Sequence, residues 1–202
     1  MRVIKIGGSL YESRCLPRWL HQLATLEAGK AVIVPGGGPF ANQVRHAQNC
    51  WGISDACAHT MALLAMEQFG YLLQGLEPTL RLAASPKEIK EVVSQQQIPI
   101  WLPATELLDQ PEIPKNWEVT SDSLAAWLSS KLKASRLVLI KKVRLSEPVI
   151  SVHSLVTRGI VDAAFPRFLH SITIPCYCIT ADNYPQIALK GIVNMGTRIS
   201  PD

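Results

Sequence analysis

Residues 31–45 read AVIVPGGGPFANQVR, and this stretch predicts the fold of the chain. The apolar, largely β-branched run at 31–34 is typical of a buried strand, and Pro39 is typical of the first turn of a helix. The glycines at 36–38 let backbone N–H groups approach a ligand, and the positive end of the helix points at the same place. The stretch therefore predicts a loop that holds an anion such as phosphate.

A second glycine loop follows the first apolar run of the chain. Residues 3–6 (VIKI) lead into Gly7, Gly8 and Ser9, and apolar residues at helical spacing over 16–26 predict a helix between the two loops. Strand, helix and strand then form a crossover with parallel strands. The carboxyl ends of parallel strands meet at one edge of the sheet, so we expect both loops to share one phosphate site.

The rest of the chain alternates predicted helices and strands, which indicates the α/β class with a mainly parallel sheet. Ser54 or Asp55 caps a long apolar helix, and a loop-rich connection over 103–117 either covers a site or runs over the surface. Strands are predicted at 79–83, 98–102, 136–140, 172–180 and 192–199, and shorter helices at 86–93, 124–128, 162–170 and 185–189.

Composition limits the class of protein. The chain has 202 residues, 48% apolar and 18% charged, which is enough for one domain with a substantial core. The first apolar run is short and contains Lys5, so no signal peptide is predicted, and no segment is long and apolar enough to span a bilayer. We expect a cytoplasmic protein that does not act at a membrane.

Charge and cysteine content exclude further classes. The net charge of +4 is mild, and the basic section at 131–144 lacks a recognition motif, so nucleic-acid binding is not expected. That section is either a solvated surface or the electropositive rim of a nucleotide site. Five cysteines without a C-x-x-C pair predict buried free thiols rather than disulfides or zinc. We expect no metal held by the protein itself.

Three charged residues are candidates for chemistry at the predicted edge. Lys5 precedes the first glycine loop, and Lys141 ends the strand predicted at 136–140. Phosphoryl transfer depends on positioning of the two substrates and on positive charge near the transferred group, rather than on covalent catalysis. It needs no general base if the acceptor is an anion. A carboxylate between two lysines keeps both charged, and Asp122 is the candidate for it. The alternative for Asp122 is simple capping of the helix that follows residues 120–123.

Two other glycine signatures have to be distinguished from this pattern. A Walker A loop is excluded because no Gly-Lys-Ser/Thr follows Gly36 at the required spacing. The dinucleotide pattern G-x-G-x-x-A fits residues 36–41, but the acidic residue that should end a second strand, Asp55, is predicted to begin a helix. Dinucleotide binding is therefore the second interpretation.

Taken in order, the motifs resemble those of the amino acid kinase superfamily, which includes acetylglutamate, uridylate and isopentenyl phosphate kinases. The motifs are Lys5-x-Gly7-Gly8-Ser9, Gly36-Gly37-Gly38, Asp122 with Ala125-Ala126, and Gly196-Thr197-x-Ile199. The resemblance implies a three-layer αβα sandwich in which ATP and the acceptor meet end to end, with Mg²⁺ carried by the nucleotide. Residues 1–118 would mainly bind the acceptor, and residues 119–202 mainly the nucleotide.

The resemblance also implies roles for these residues. Lys5 and Lys141 would stabilise the transferred phosphoryl group, and Asp122 would orient both lysines. The donor phosphates would bind at Gly7, Gly8 and Ser9, and the acceptor at Gly36, Gly37 and Gly38. The chain departs from the superfamily where residues 141–145 (KKVRL) replace the usual Thr-Asp-x-x-Gly, and where a downstream Gly-Gly-Met segment with its lysine is absent. Lys141 is therefore the candidate for the second lysine.

Within the superfamily, three segments are similar to the small aminomethylfuran phosphate kinases. They are residues 34–41 (VPGGGPFA), Asp55-x-x-x-His59-x-Met61-Ala62, and residues 66–70 (MEQFG). Those enzymes convert a furan-bearing phosphate monoester into its diphosphate during synthesis of methanofuran-type one-carbon cofactors. By this resemblance Arg45 and His59 would contact the acceptor, although a surface arginine and a structural histidine are the ordinary alternatives.

Two further expectations concern assembly and activity. The resemblance implies a homo-oligomer, with the long helix after Asp55 as a candidate contact, unless its apolar stripe only covers the sheet. Another phosphate or small-acid kinase of the superfamily remains an alternative, as does a nonenzymatic assembly that binds nucleotides or anions with the same fold.

Overall fold

The computed structural model describes residues 1–201, and an eight-stranded sheet lies at the centre of this part of the chain. The strands are β1 (Arg2–Ile6), β2 (Ala31–Pro35), β3 (Arg81–Ala83), β4 (Pro99–Trp101), β5 (Arg136–Lys141), β6 (Val149–Ser151), β7 (Cys176–Thr180) and β8 (Thr197–Ser200). They stand in the order β3-β4-β2-β1-β5-β7-β8-β6, and β7 pairs with β8 antiparallel whereas the other described pairs are parallel. The predicted α/β class with a mainly parallel sheet is confirmed.

Helices cover both faces of the sheet. They are α1 (Leu16–Leu26), α2 (Gly38–Trp51), α3 (Asp55–Leu76), α4 (Pro86–Ser94), α5 (Ala104–Leu107), α6 (Ser121–Lys131), α7 (Val152–Thr157), α8 (Phe165–His170) and α9 (Ile187–Lys190). Side chains alternate between the faces of a strand. In β1, Val3 packs in the apolar core that includes Leu128 of α6, whereas Ile4 packs in the opposite core with Trp19 of α1. The predicted three-layer αβα sandwich is therefore confirmed.

This alternation also decides which helix Lys5 meets. Lys5 lies two residues after Val3 and shares its face, as Lys141 shares the face of Leu139. Both lysines consequently point toward the layer that contains α6, whose first turn carries Asp122.

Two elements in the last third of the chain are shorter than predicted. The helix predicted at 162–170 is α8, which starts later because Pro166 belongs in a first turn. The strand predicted at 172–180 is β7, which starts after Pro175 because proline has no N–H to donate to a neighbouring strand.

The end of the chain also differs from the prediction. The segment predicted as one strand at 192–199 forms a short 3₁₀ turn at Ile192–Asn194 before β8 begins. Gly191 and Gly196, with φ of +67° and +91°, break the extended backbone on either side of that turn. The segments β6 and α7 were not predicted, because three and six residues are too short for a clear periodic pattern.

The cysteines are all free, but the prediction that they are buried is only partly right. Cys15, Cys176 and Cys178 are buried, whereas Cys50 and Cys57 are exposed on α2 and α3. Within residues 1–201, no group of three or more histidine, cysteine or acidic side chains is placed to hold a metal ion. None of the helices in the same range combines the length and apolar character needed to cross a bilayer.

Candidate active site

The carboxyl ends of three neighbouring strands form the candidate site. β1 lies between β2 and β5, with Ile6 aligned with Pro35 on one side and Ile140 on the other. The N–H of Gly36 donates to the carbonyl of Ile6 at 2.9 Å, and that of Gly7 donates to Ile140 at 2.9 Å. Both glycine loops and the end of β5 are thus brought to one edge of the sheet.

The two glycine loops touch through their backbones. A Cβ atom on Gly8 would lie 2.3 Å from the backbone nitrogen of Gly38, and one on Gly36 would lie 2.4 Å from that of Gly8. No side chain fits at either position without moving backbone. The glycines are therefore required by this close approach, which places the start of α2 beside the turn that follows β1.

Lys5, Asp122 and Lys141 form one cluster beneath this edge. One carboxylate oxygen of Asp122 lies 2.7 Å from Nζ of Lys5, and the other accepts a hydrogen bond from Nζ of Lys141 at 2.6 Å. Nζ of Lys141 also donates to the carbonyl of Ile160 at 2.6 Å. Lys5 and Asp122 are each 3% exposed, so the cluster is shielded from solvent. Asp122 faces the lysines instead of capping its own helix.

Burial and neighbouring charges set the protonation states of the cluster. Burial lowers the pKa of Lys5 to about 8, with the charge of Lys141 acting in the same direction and that of Asp122 against it. Burial would raise the pKa of Asp122, but the charges of Lys141 and Lys5 outweigh it and lower this pKa to about 2. Burial opposes the charged form of Lys141 too, yet Asp122 raises its pKa above the ordinary value. Asp122 is therefore ionised at neutral pH, and Lys5 loses its proton most easily.

The first turn of α6 is held by a carboxylate from a distant segment. Asp162 accepts hydrogen bonds from the N–H and hydroxyl of Thr120, at 3.0 and 2.7 Å, and from the N–H of Ser123 at 3.1 Å. The Ser123 hydroxyl donates to its other oxygen. The helix start predicted at residues 120–123 is thus capped, but not by its own side chains. Burial and the charge of Asp122 raise the pKa of Asp162, against the hydrogen bonds from Ser123 and Thr120.

A charged cavity of about 590 Å³ opens above the cluster. It is lined by Lys5, Asp122 and Lys141 with Gly7, Gly8 and Ser9 beside them, and its further charged residues are Arg45, Lys142, Arg158 and Asp162. We call it the phosphate cavity. Its excess of basic groups and its glycine backbone are suited to bind an anion with several charges.

A second cavity of about 480 Å³ adjoins the first, and the residues that line both are Gly8, Ser9, Arg45, Trp117, Thr120 and Lys142. Gly37 and Gly38 form one side of it, and its apolar wall includes Leu63, Met66, Val119 and Leu124. We call it the apolar cavity. Of the predicted acceptor residues, Gly36 does not line it, and its role there is the backbone contact with Gly8.

Arg45 and His59 both line the apolar cavity. The Arg45 guanidinium lies 4.0 Å from the ring centre of Trp117, and partial burial lowers its pKa. His59 is 5% exposed, and within residues 1–201 its Nε2 atom has no hydrogen-bond partner. Burial and the charge of Lys115 lower its pKa, so the ring is neutral near pH 7, although a backbone hydrogen bond to Asn116 acts in the opposite direction.

The sequence of this chain matches a known protein family. A sequence model of the amino acid kinase family matches residues 1–144, more than half of the chain. The chain belongs to the amino acid kinase family. This confirms the resemblance drawn from the glycine loops, Lys5 and Asp122.

Relatives of this amino acid kinase are themselves kinases. A protein of Methanocaldococcus jannaschii named (5-(aminomethyl)furan-3-yl)methyl phosphate kinase is 27% identical over 212 residues, covering 98% of this chain and 97% of the relative. A uridylate kinase of Archaeoglobus fulgidus superposes with a TM-score of 0.74 at 19% identity, over 99% of this chain and 100% of its own. A UMP kinase of Bacillus anthracis gives 0.71 at 16% identity, over 100% and 96%. The prediction of an ATP-dependent phosphotransferase is confirmed.

Three features of the site were not predicted from the sequence of this amino acid kinase. They are the hydrogen bonds of Asp162 to the start of α6, the position of Trp117 in the cavity wall, and the presence of Glu12 in the lining of the apolar cavity. A tryptophan next to a proline-rich loop was the available signal for Trp117. The sequence carries no comparable signal for Asp162, because its partners are about forty residues away.

Proposed function

We propose that this kinase transfers the γ-phosphoryl group of ATP to the phosphate of a small monoester, and that the monoester is an aminomethylfuran phosphate. An oxygen of the acceptor phosphate attacks the γ-phosphorus, the bond to the β-phosphate oxygen breaks, and a diphosphate and ADP are formed. The observation that carries the proposal is the pair of adjoining cavities with Gly8 and Ser9 in the wall of both, one of them charged and the other with an apolar wall. The named relative supports the acceptor and a place in methanofuran-type one-carbon cofactor synthesis.

The geometry supports a separate role for each group of residues in the site. In the proposal, Lys5 and Lys141 neutralise the charge on the transferred phosphoryl group, while Asp122 holds them in place. The turn from Gly7 to Ser9 holds the donor phosphates. Gly37 and Gly38, beside the positive end of α2, hold the acceptor phosphate, and Gly36 maintains the loop contact.

The cavity linings also support roles for the two lobes and for Mg²⁺. Residues 1–118 supply most of the wall of the apolar cavity, which supports their predicted role with the acceptor, and residues 119–202 would mainly bind the nucleotide. Both carboxylates of the phosphate cavity are engaged, Asp122 by two lysines and Asp162 by the start of α6. We therefore propose that Mg²⁺ is held by the phosphates of ATP, where it would offset their charge.

The apolar cavity suits a small aromatic acceptor. Apolar side chains and the Trp117 ring offer a surface on which a furan ring packs, as is common for small-molecule sites. The Nε2 atom of His59 is buried without a partner in the described part of the chain, so it gains most from a polar group on the ligand. We propose that it makes a hydrogen bond to the acceptor.

ADP release with ATP, Mg²⁺ and a panel of acceptors tests the proposal. The panel contains aminomethylfuran phosphate, isopentenyl phosphate, UMP, acetylglutamate and carbamate. We expect kcat/KM for the furan phosphate to exceed the others by about 100-fold, because the alternatives lack either its ring or its size. Turnover that is faster with any other member of the panel would reject the furan acceptor.

A His59 variant separates acceptor binding from nucleotide binding. With His59→Leu, we expect the KM for the acceptor to rise about tenfold and that for ATP to stay unchanged, since His59 lines only the apolar cavity. His46→Leu is the matched control, because His46 is on α2 outside both cavities. An equal effect on both KM values would remove His59 from the acceptor site.

We further propose a homo-oligomer that forms through α3 in the cytoplasm. Leu64 and Tyr71, seven residues apart and therefore on one face of that helix, are 45% and 58% exposed. Such a stripe can pair with the same stripe of a second copy around a twofold axis. Light scattering is expected to give a multiple of 22.2 kDa, and Tyr71→Glu to give the monomer mass. A monomeric wild-type protein at micromolar concentration would contradict this.

A further inference from the structure

The capping of α6 is unlike that of two other long helices of the fold. α3 and α4 are capped locally, by Ser54 and Ser85, whose side chains accept from N–H groups three residues ahead. At α6 the acceptor is Asp162, which lies 42 residues from Thr120 and accepts four hydrogen bonds there. The position of α6 therefore depends on the segment that follows α7.

The same segment also holds the second lysine. The carbonyl of Ile160 accepts from Nζ of Lys141 at 2.6 Å, two residues before Asp162. One short stretch of backbone is thus anchored both to Lys141 and to the helix that carries Asp122. A displacement of this stretch would change the distances within the cluster from both sides.

We infer that Asp162 is a positioning residue, which fixes the first turn of α6 so that the Asp122 carboxylate lies between Lys5 and Lys141. The inference rests on the proposed phosphoryl transfer. Asp162 itself touches the backbone and hydroxyls of Thr120 and Ser123, and in the proposed reaction it acts through the helix.

Comparison of Asp162→Ala with Asp162→Asn tests this inference. Asparagine keeps an oxygen for the N–H groups of Thr120 and Ser123, whereas alanine removes every acceptor. We expect Asp162→Ala to lower kcat about 30-fold with both KM values little changed, because small misplacement of catalytic groups is costly. Asp162→Asn is expected to restore most of kcat.

The titration of Lys5 supplies a readout that needs no substrate. In ¹³C-lysine-labelled protein, the Lys5 side chain is expected to titrate near pH 8 in the wild type. In Asp162→Ala we expect the titration midpoint of Lys5 to fall. Burial still lowers the pKa of Lys5, whereas a displaced Asp122 raises it less than in the wild type. Ser123→Ala is a near-isosteric change that removes one hydrogen-bond donor to Asp162, so it should lower the Lys5 midpoint less. If Asp162→Ala does not fold, Ser123→Ala tests the positioning role of Asp162.

A matched control distinguishes positioning from general stability. Glu88→Ala removes the carboxylate that accepts from Ala84 and Ser85 at the start of α4, so it should lower the melting temperature without changing kcat or the Lys5 midpoint. The inference is overturned if the Lys5 midpoint is unchanged in both Asp162→Ala and Ser123→Ala. If Asp162→Ala does not fold, an unchanged midpoint in Ser123→Ala alone overturns it. If no acceptor is turned over by the wild type, the proposed function fails while the titration still decides the role of Asp162.

Discussion

Asp122→Asn is expected to lower kcat about 10⁴-fold, the largest effect of any substitution that we propose. Loss of a single preorganised hydrogen-bond donor that stabilises the transition state typically lowers the rate about 10²–10³-fold, and Asp122→Asn disturbs two such donors, Lys5 and Lys141. Without the carboxylate, Lys5 loses its ion pair at 2.7 Å, and Nζ of Lys141 keeps only its hydrogen bond to the carbonyl of Ile160. Lys5 also loses the charge that opposes the effect of burial on its pKa, so this pKa is expected to fall below the wild-type value of about 8.

The variant is expected to remain folded. Removing one partner of a buried ion pair can cost about 3–5 kcal/mol, but Lys5 can release its proton and so avoid most of this penalty. Thermal unfolding measured beside single-turnover kinetics separates the two effects. Asp55→Asn is the matched control, since Asp55 is also in the first turn of a helix but lies outside both cavities. A folded Asp122→Asn protein with kcat near that of wild type would remove Asp122 from the mechanism.

The central part of the site was predictable because its signals are local. β1 and β2 are apolar apart from Arg2 and Lys5, and each is followed by glycine, so strand, turn and shared edge can be inferred from adjacent residues. Alternation along β1 then puts Lys5 opposite α6. The carboxyl ends of parallel strands meet at one edge, so Lys141 is expected there too, but the pairing of β1 with β5 is not indicated by adjacent residues.

The rest of the site depends on contacts between distant segments. β6 is three residues long and joins the sheet at its far edge, so nothing in residues 144–161 identifies it. The hydrogen bonds that Lys141 donates to Ile160, and that Thr120 at the start of α6 donates to Asp162, join residues separated by 19 and 42 positions. Helix propensity predicts that α6 begins near Ser121, but not which side chain satisfies its first N–H groups.

Lys5→Met is expected to lower kcat/KM about 10³-fold while leaving the fold intact. Methionine has a similar length and no charge, so it fills the buried space, and Asp122 keeps its bond to Lys141 at 2.6 Å. The melting temperature should therefore be unchanged or higher. Lys87→Met, at an exposed lysine of α4, is the control and should leave both quantities as in the wild type. A Lys5→Met protein that retains more than about half of kcat/KM would exclude Lys5 from the reaction.

The pH dependence of the wild type tests whether Lys5 must be charged. A lysine with a pKa of about 8 is protonated below that pH and neutral above it, so kcat/KM, which reports the free enzyme, should fall as the pH rises through about 8. Bound phosphates add negative charge beside Lys5 and favour its protonated form, so the fall in kcat should occur at higher pH. In Lys5→Met the residual activity should lack this fall. If the alkaline fall of kcat/KM persists in that variant, another group causes it and the low pKa of Lys5 has no part in catalysis.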